Sequence, residues 1–205
     1  MLDVSPVFFC YNTLVNLFLF ILLGYLSGSI PVGFLVARIY GVDIFKRGSG
    51  NIGATNITRN LGWGAGISVF ALDFLKGAAP TLLALWYLKD PLQVVLVGLA
   101  AIIGHSFSIF LKGKGGKGAA TGLGVLGVIA PDILLFTLIF VMILIFTTRY
   151  VSVGSILGAV SVLALMFILG KPLPYTLASL LAAALIVIRH IPNIKRLMSG
   201  TERKI

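Results

Sequence analysis

Lys112-Gly113-Lys114-Gly115-Gly116-Lys117-Gly118-Ala119-Ala120-Thr121 stands between two long apolar runs, shortly after Gly104-His105-Ser106-Phe107. Glycines without a Cβ let backbone N–H groups turn toward an anion, and lysines add compact positive charges around it. Gly113, Gly115 and Gly118 satisfy the spacing G-x-G-x-x-G. That spacing means dinucleotide binding only after a strand inside a βαβ unit. Here an apolar segment of membrane-spanning length precedes it, so a doubly wound α/β fold is excluded. A Walker loop is excluded as well, because no Gly-Lys-Ser/Thr closes the stretch. Two readings remain: a cationic loop that only fixes membrane orientation, or a phosphate-binding loop at a membrane surface.

The composition agrees with a membrane setting. The chain has 205 residues, 59% of them hydrophobic and 11% charged, with a mean hydropathy of +1.08. A spanning helix needs about 20 apolar residues, and several stretches approach that length. The expected architecture is an all-α integral membrane protein of about seven transmembrane helices, forming one polytopic domain over residues 1–205. The formal net charge of +10 does not read as nucleic-acid affinity, since no basic patch with interleaved aromatics stands free of the apolar segments. Cys10 is the single cysteine, which excludes a disulfide framework or a thiolate metal site. The first ten residues carry no Lys or Arg, against the basic start of a cleaved signal peptide.

Working outward, the first run covers about Thr13 to Tyr40. Gly28-Ser29-Ile30-Pro31-Val32-Gly33 interrupts it, where a kink or break is expected. The polar loop from Gly41 to Gly62 centres on Gly48-Ser49-Gly50-Asn51-Ile52-Gly53-Ala54-Thr55-Asn56, a second glycine-rich turn. A span from about Ala65 to Leu88 contains Asp73 and Lys76, three residues apart on one helix face and able to neutralise each other. Both a structural ion pair and a catalytic role stay open for them. Further spans run from about Leu92 to Leu111, from Gly118 to Ala130 (short and glycine-rich), from Pro131 to about Thr148, from Val151 to Leu169, and from Pro174 to Ile188. The pairs Gly24/Gly28, Gly118/Gly122 and Gly154/Gly158 suit close helix packing.

Seven spans put alternate loops on opposite sides, and the charges sort accordingly. Arg38, Lys46, Arg47, Arg59, Lys112, Lys114, Lys117, Arg149, Arg189, Lys195, Arg196, Arg203 and Lys204 fall on one side, Lys89 and Lys171 on the other. The positive-inside bias predicts an outside N-terminus and a cytoplasmic C-terminus.

The same topology collects the polar motifs on the cytoplasmic face: Ser49–Asn56, Lys112–Lys117, Arg149–Ser155 and Arg189–Asn193. Such a face is rich in donors and poor in acids, with Asp43 and Glu202 as its carboxylates. It describes an anion site, and two glycine-rich loops suggest two phosphorylated reactants. The residues do not suit metal catalysis, which needs carboxylate or clustered histidine ligands. A Ser-His-Asp triad lacks its elbow and its acid. Neither His105 nor His190 meets an acid at the fifth position, which excludes the His-x4-Asp signature of acyl-CoA-dependent glycerolipid acyltransferases. His105 reads as a packing histidine, whereas His190 sits with Arg189 and Asn193 in the site. Positioning and charge stabilisation of substrates that carry their own phosphate fit this set. The competing reading is an organophosphate or anion carrier.

Three blocks carry a resemblance. They are Gly28-Ser29-Ile30-Pro31-x-Gly33 running into Gly48–Asn56-x-x-Arg59, then Gly104-His105-x-Phe107 with Lys114-Gly115-Gly116-Lys117-Gly118-x-Ala120-Thr121, and finally Arg189-His190-x-x-Asn193-Ile194-x-Arg196-Leu197-x-x-Gly200-x-Glu202. Through them the chain closely resembles the bacterial acyl-phosphate:glycerol-3-phosphate 1-acyltransferase family. The resemblance implies seven helices in the bacterial inner membrane and a cytosol-facing site. It implies acyl transfer from acyl phosphate to the sn-1 hydroxyl of glycerol 3-phosphate, giving lysophosphatidic acid and phosphate for phospholipid biosynthesis. It implies no acyl-CoA, carrier protein, metal or other cofactor, and a functional link to an enzyme that forms acyl phosphate. Carried over, the family's site residues are Ser49, Arg59, Lys117, Ser155, His190 and Asn193. Gly50, Asn51, Gly53, Asn56, Lys114, Gly115, Gly116 and Gly118 complete the expected substrate-binding set. Lys117 and the N–H groups of Gly115–Gly118 are expected on the acyl phosphate. Arg59, His190 and Asn193 are expected on glycerol phosphate, with Ser49 on a phosphate or the attacking hydroxyl.

Overall fold

The computed structural model describes the backbone of residues 6–205 and the side-chain surroundings of residues 14–205. The extreme N-terminus, expected outside, and the Cys10 side chain lie outside the described residues. Helices account for the architecture: α1 (Pro6–Ser29), α2 (Val32–Ile39), α3 (Ala54–Leu61), α4 (Trp63–Tyr87), α5 (Pro91–Ser106), α6 (Ala119–Ile129), α7 (Pro131–Thr148), α8 (Val151–Ile168), α9 (Leu173–Arg189) and α10 (Ile191–Met198). No strand occurs among the described residues.

Among the described residues, five stretches are long and apolar enough to cross a membrane, and α9 with α10, bent by 54° between them, makes a sixth if taken as one. The remaining apolar helix, α6, has 11 residues, about 16 Å, and falls short of a bilayer core of about 30 Å. The expectation of about seven spans therefore resolves into five or six of full length and one short helix. Its 18-residue neighbour α7 is about 10 Å longer. The N-terminus of α6 accordingly starts below the protein surface, and this opens a recess there.

The break in the first run falls at Ile30-Pro31, since proline cannot continue the hydrogen-bond ladder. The carbonyls it frees are satisfied across the bundle. Ser108 Oγ donates to Ser29 O at 2.5 Å and Lys76 Nζ to Ile30 O at 2.9 Å. Pro80 sits inside α4 without ending it. Its missing N–H leaves the Lys76 carbonyl without a helical donor, and Ser27 Oγ takes that role at 3.0 Å.

Close approach of backbones builds the centre. Gly24 and Gly28 of α1 lie against the Val97 and Ala101 carbonyls of α5, and Gly124 of α6 against the Phe74 carbonyl of α4, with no room for a Cβ at any of the three. Gly154 and Gly158 meet Ile145 and Val141 of α7 through side-chain rather than backbone atoms. On the outside, α7 exposes Phe136, Ile143 and Phe146 as a lipid-facing helix does. Away from the recess, Lys171 of the α8–α9 turn pairs with Asp132 at the start of α7 at 2.7 Å.

Candidate active site

Three segments meet at the recess. The first is the loop before α3. Asn56 is buried and uses its amide on the loop: Oδ1 accepts from Ser49 N at 3.0 Å, and Nδ2 donates to Asn51 O at 2.8 Å and Arg47 O at 3.1 Å. Asn51 Oδ1 in turn accepts from Gly53 N at 2.8 Å. Gly50 turns the loop at a φ of 69°, in the left-handed region where glycine carries no side-chain penalty.

The second is the glycine loop before α6. Gly116 N donates to His105 O at 2.9 Å and Gly115 N to Gly113 O at 3.1 Å. Arg189 donates Nε to Gly116 O at 3.1 Å and a terminal nitrogen to Gly115 O at 3.0 Å. The N–H groups from Lys117 to Thr121 take no partner among the described residues. A fan of amides, backed by the helix dipole, therefore points from the start of α6 into the recess.

The third is the C-terminal segment, folded back over α10. The Glu202 carboxylate accepts from Asn193 Nδ2 at 2.7 Å, Ser152 Oγ at 2.9 Å and Arg196 Nε at 2.6 Å. Burial alone would raise its pKa, but these three donors hold it below the ordinary carboxylate value. With Nδ2 committed to Glu202, Asn193 presents Oδ1 to Lys117, whose Nζ donates at 2.5 Å. Arg59 is tied by a terminal nitrogen to Arg203 O at 2.6 Å, and its Nε is buried without a partner. His190 pairs Nδ1 with the Ile186 carbonyl at 2.8 Å, which puts the proton on Nδ1 and leaves Nε2 a lone pair.

Together these segments form a cleft lined by polar side chains. Ser49, Asn51, Gly53, Asn56, Arg59, Lys117, Gly118, Ser155, His190 and Asn193 all line it. Four other residues of the expected substrate-binding set are not among its lining. Gly50 shapes the turn behind the lining, and Lys114 is exposed on the outer side of its loop. Gly115 and Gly116 are buried with their amides and carbonyls already engaged. The free amides begin at Lys117, two residues later than the Gly115–Gly118 set expected from the sequence.

Ser152, Glu202, Asp73 and His105 also line the cleft, though none of them was in the expected catalytic or substrate-binding set. Glu202 stood in the third sequence block, but nothing local shows that a carboxylate nine residues on would bind Asn193. Asp43, the other carboxylate expected near the site, caps a 3-10 turn at Phe45 N instead.

Burial is the main cause that lowers the Lys117 pKa to about 8. Arg196, Arg59 and Arg189 add to it and Glu202 opposes it. Burial also lowers the Arg59 pKa, from a value so high that the guanidinium stays charged. Both acids inside the cleft are engaged, Glu202 as above and Asp73 with Lys76 at 2.9 Å, so its surplus is positive.

A second, apolar cavity lies between α5, α6, α7, α8 and α9, reaching Ile129 and Met166. It shares Ala119, Leu123, Val141 and Ser155 with the polar cleft. The two spaces are adjacent, a donor-lined cleft beside an apolar chamber with these residues as their common wall.

The family model described as glycerol-3-phosphate acyltransferase matches residues 18–200. The glycerol-3-phosphate acyltransferase of Thermus thermophilus is 46% identical over 185 residues, covering 90% of this chain and 93% of that one. That of Aquifex aeolicus is 41% identical over 185 residues, covering 90% and 96%. The crystal structure of PlsY (YgiH), an integral membrane glycerol 3-phosphate acyltransferase, in its glycerol 3-phosphate form superimposes with a TM-score of 0.90. The sequences are 39% identical, and 93% of this chain and 96% of that one are covered. Its lysophosphatidic acid form gives 0.87 at 39% identity, covering 93% and 95%.

Proposed function

The chain belongs to the glycerol-3-phosphate acyltransferase family, and on that premise we propose how its cleft performs the transfer and which acyl donor it takes. The protein is an integral membrane glycerol-3-phosphate acyltransferase of phospholipid biosynthesis, and the donor is an acyl phosphate. One observation carries this reading: the donor-rich cleft at the start of α6 adjoins the apolar chamber and shares Ala119, Leu123, Val141 and Ser155 with it. An acyl phosphate has the matching form, an anionic head on an apolar chain.

The head takes Lys117 Nζ and the amides from Lys117 to Thr121, and the chain enters the cavity past Ser155. Glycerol 3-phosphate takes the Arg59 guanidinium with His190 and Asn193, and Ser49 orients its C1 hydroxyl. That oxygen attacks the acyl carbonyl carbon, the carbon–oxygen bond to phosphate breaks, and the hydroxyl proton passes to the departing phosphate. The products are lysophosphatidic acid and inorganic phosphate. The enzyme contributes alignment and fixed positive charge where negative charge grows. An engaged Glu202 is no base. Because an acyl phosphate is a reactive mixed anhydride, an enzyme that forms one must supply it nearby.

The donor assignment is tested by substitution. Purified protein is expected to turn over palmitoyl phosphate with glycerol 3-phosphate and to give no comparable turnover with palmitoyl-CoA. Comparable rates with the thioester would assign the donor class wrongly. The pH dependence follows from Lys117. A cation whose pKa is lowered to about 8 keeps its charge below that pH and loses it above, so kcat/KM for the acyl donor should decline as pH rises through about 8. Lys117→Arg, charged throughout the range, should abolish that alkaline limb while lowering the plateau.

The charge bias between loops supports an orientation with the cleft and C-terminus facing the cytoplasm and the N-terminus outside, and the family resemblance supports the bacterial inner membrane for this single polytopic unit. In a Cys10→Ser background, cysteines at Lys46 and Ser199, both exposed, should react with an impermeant thiol reagent only once the membrane is opened. Labelling in intact cells would reverse the orientation.

A further inference from the structure

Asp73, Lys76 and His105 are 2%, 7% and 4% exposed, and the transfer step uses none of them. Charged groups inside a membrane protein cost stability, and a buried ion pair does little better than break even against apolar packing. Their arrangement offers a reason for them. Lys76 Nζ stands 2.9 Å from Asp73 Oδ1 and donates to the Ile30 carbonyl at the α1–α2 break, also at 2.9 Å. The carboxylate is thus held against the kinked end of α1. Its Oδ1 faces His105 Nδ1 at 3.6 Å, a small shift beyond hydrogen-bond reach.

The opposite edge of the imidazole meets the glycine loop. A methyl group on Gly116 would overlap His105 Nε2, so the ring lies flush against the Gly116 backbone. The His105 carbonyl also receives the Gly116 N–H at 2.9 Å. From the other side Arg189 grips the carbonyls of Gly115 and Gly116. The loop is therefore clamped between Arg189 and His105, immediately before the amides that open into the cleft. His105 lines the cleft wall, but its Nε2 rests on Gly116 and its Nδ1 faces Asp73, so both ring nitrogens are turned to the loop and the carboxylate.

We propose that Asp73, Lys76 and His105 form a buried brace, with His105 the positioning residue that sets the shape of the glycine loop and thereby its affinity for a substrate phosphate. This rests on the reading of the loop as a phosphate site. A displaced loop misaligns the amides from Lys117 onward, and misplacement by about 1 Å costs on the order of 10²-fold in well-aligned sites.

The test measures KM for each substrate in the purified, monodisperse protein. His105→Ala should raise the KM of palmitoyl phosphate roughly tenfold to a hundredfold and leave that of glycerol 3-phosphate unchanged. Asp73→Asn should move the same KM in the same direction. Gly116→Ala should be impaired because its methyl meets the ring, and Gly116→Ala/His105→Ala should recover kcat/KM relative to Gly116→Ala alone. If His105→Ala does not fold, His105→Gln, alone and with Gly116→Ala, makes the same comparisons. A rise confined to the KM of glycerol 3-phosphate would sustain the brace and move the loop to the other substrate, which fails the donor reading only. Unchanged KM values, equal changes in both, or no recovery in the double variant would overturn the brace and leave the three residues as a helix lock.

Discussion

Lys117→Ala is expected to lower turnover by roughly 10²-fold or more, the scale of losing one strong oxyanion donor. The ammonium stands at the mouth of the short helix α6, where the unpartnered amides from Lys117 to Thr121 converge. It is held there by Asn193 Oδ1, which Glu202 orients through Nδ2. Alanine removes the charge and strips Asn193 of its donor, so both halves of the site suffer. Lys117→Arg keeps the charge but not the compact ammonium, and should restore activity only in part. Lys112→Ala, at an exposed position outside the cleft lining, should cost little. Steady-state assays on folded protein in detergent check all three. Near-normal turnover in Lys117→Ala would leave the glycine loop as no more than an orientation signal.

Arg59→Ala is expected to raise the KM of glycerol 3-phosphate about 10- to 100-fold, from the 1.5–3 kcal/mol typical of a hydrogen bond to a charged group. Arg203 O holds the guanidinium by one nitrogen while Nε stays buried without a partner. An unsatisfied cationic donor of this kind awaits an anion. Burial lowers its pKa without discharging it. Lysine cannot reproduce a fork that binds Arg203 and phosphate together, so Arg59→Lys should rescue weakly. A larger rise in the KM of the acyl donor than in that of glycerol 3-phosphate would exchange the two phosphate sites.

The helical membrane fold was legible because long apolar runs leave no other arrangement for the backbone, and Pro31 marked the first break by its missing N–H. Convergence of the polar loops was legible too, since Ser49, Arg59, Lys117, His190 and Asn193 all sit at ends that the alternation of spans brings to one side. Depth was not. The short α6 looked like one more span, yet its 11 residues are what sink the Gly118 end into the bundle and make a cleft that meets the apolar chamber. Hydrogen-bond partners were equally hidden. Gly115 and Gly116 resemble their neighbours in sequence, but Arg189 and His105 engage them, which leaves the anion to the amides from Lys117 onward. Asp73, assigned to mid-span, reaches the cleft floor because α4 passes directly beneath the loop. Glu202 could not be placed without the backward fold of the last residues over α10.

The most direct test of the account is the stoichiometry of transfer by purified protein given palmitoyl phosphate and glycerol 3-phosphate. The expected result is inorganic phosphate and lysophosphatidic acid formed in equal amounts, with phosphate release dependent on glycerol 3-phosphate. Phosphate released at the same rate without glycerol 3-phosphate, or glycerol 3-phosphate exchanged across liposomes with no lysophosphatidic acid formed, would contradict it.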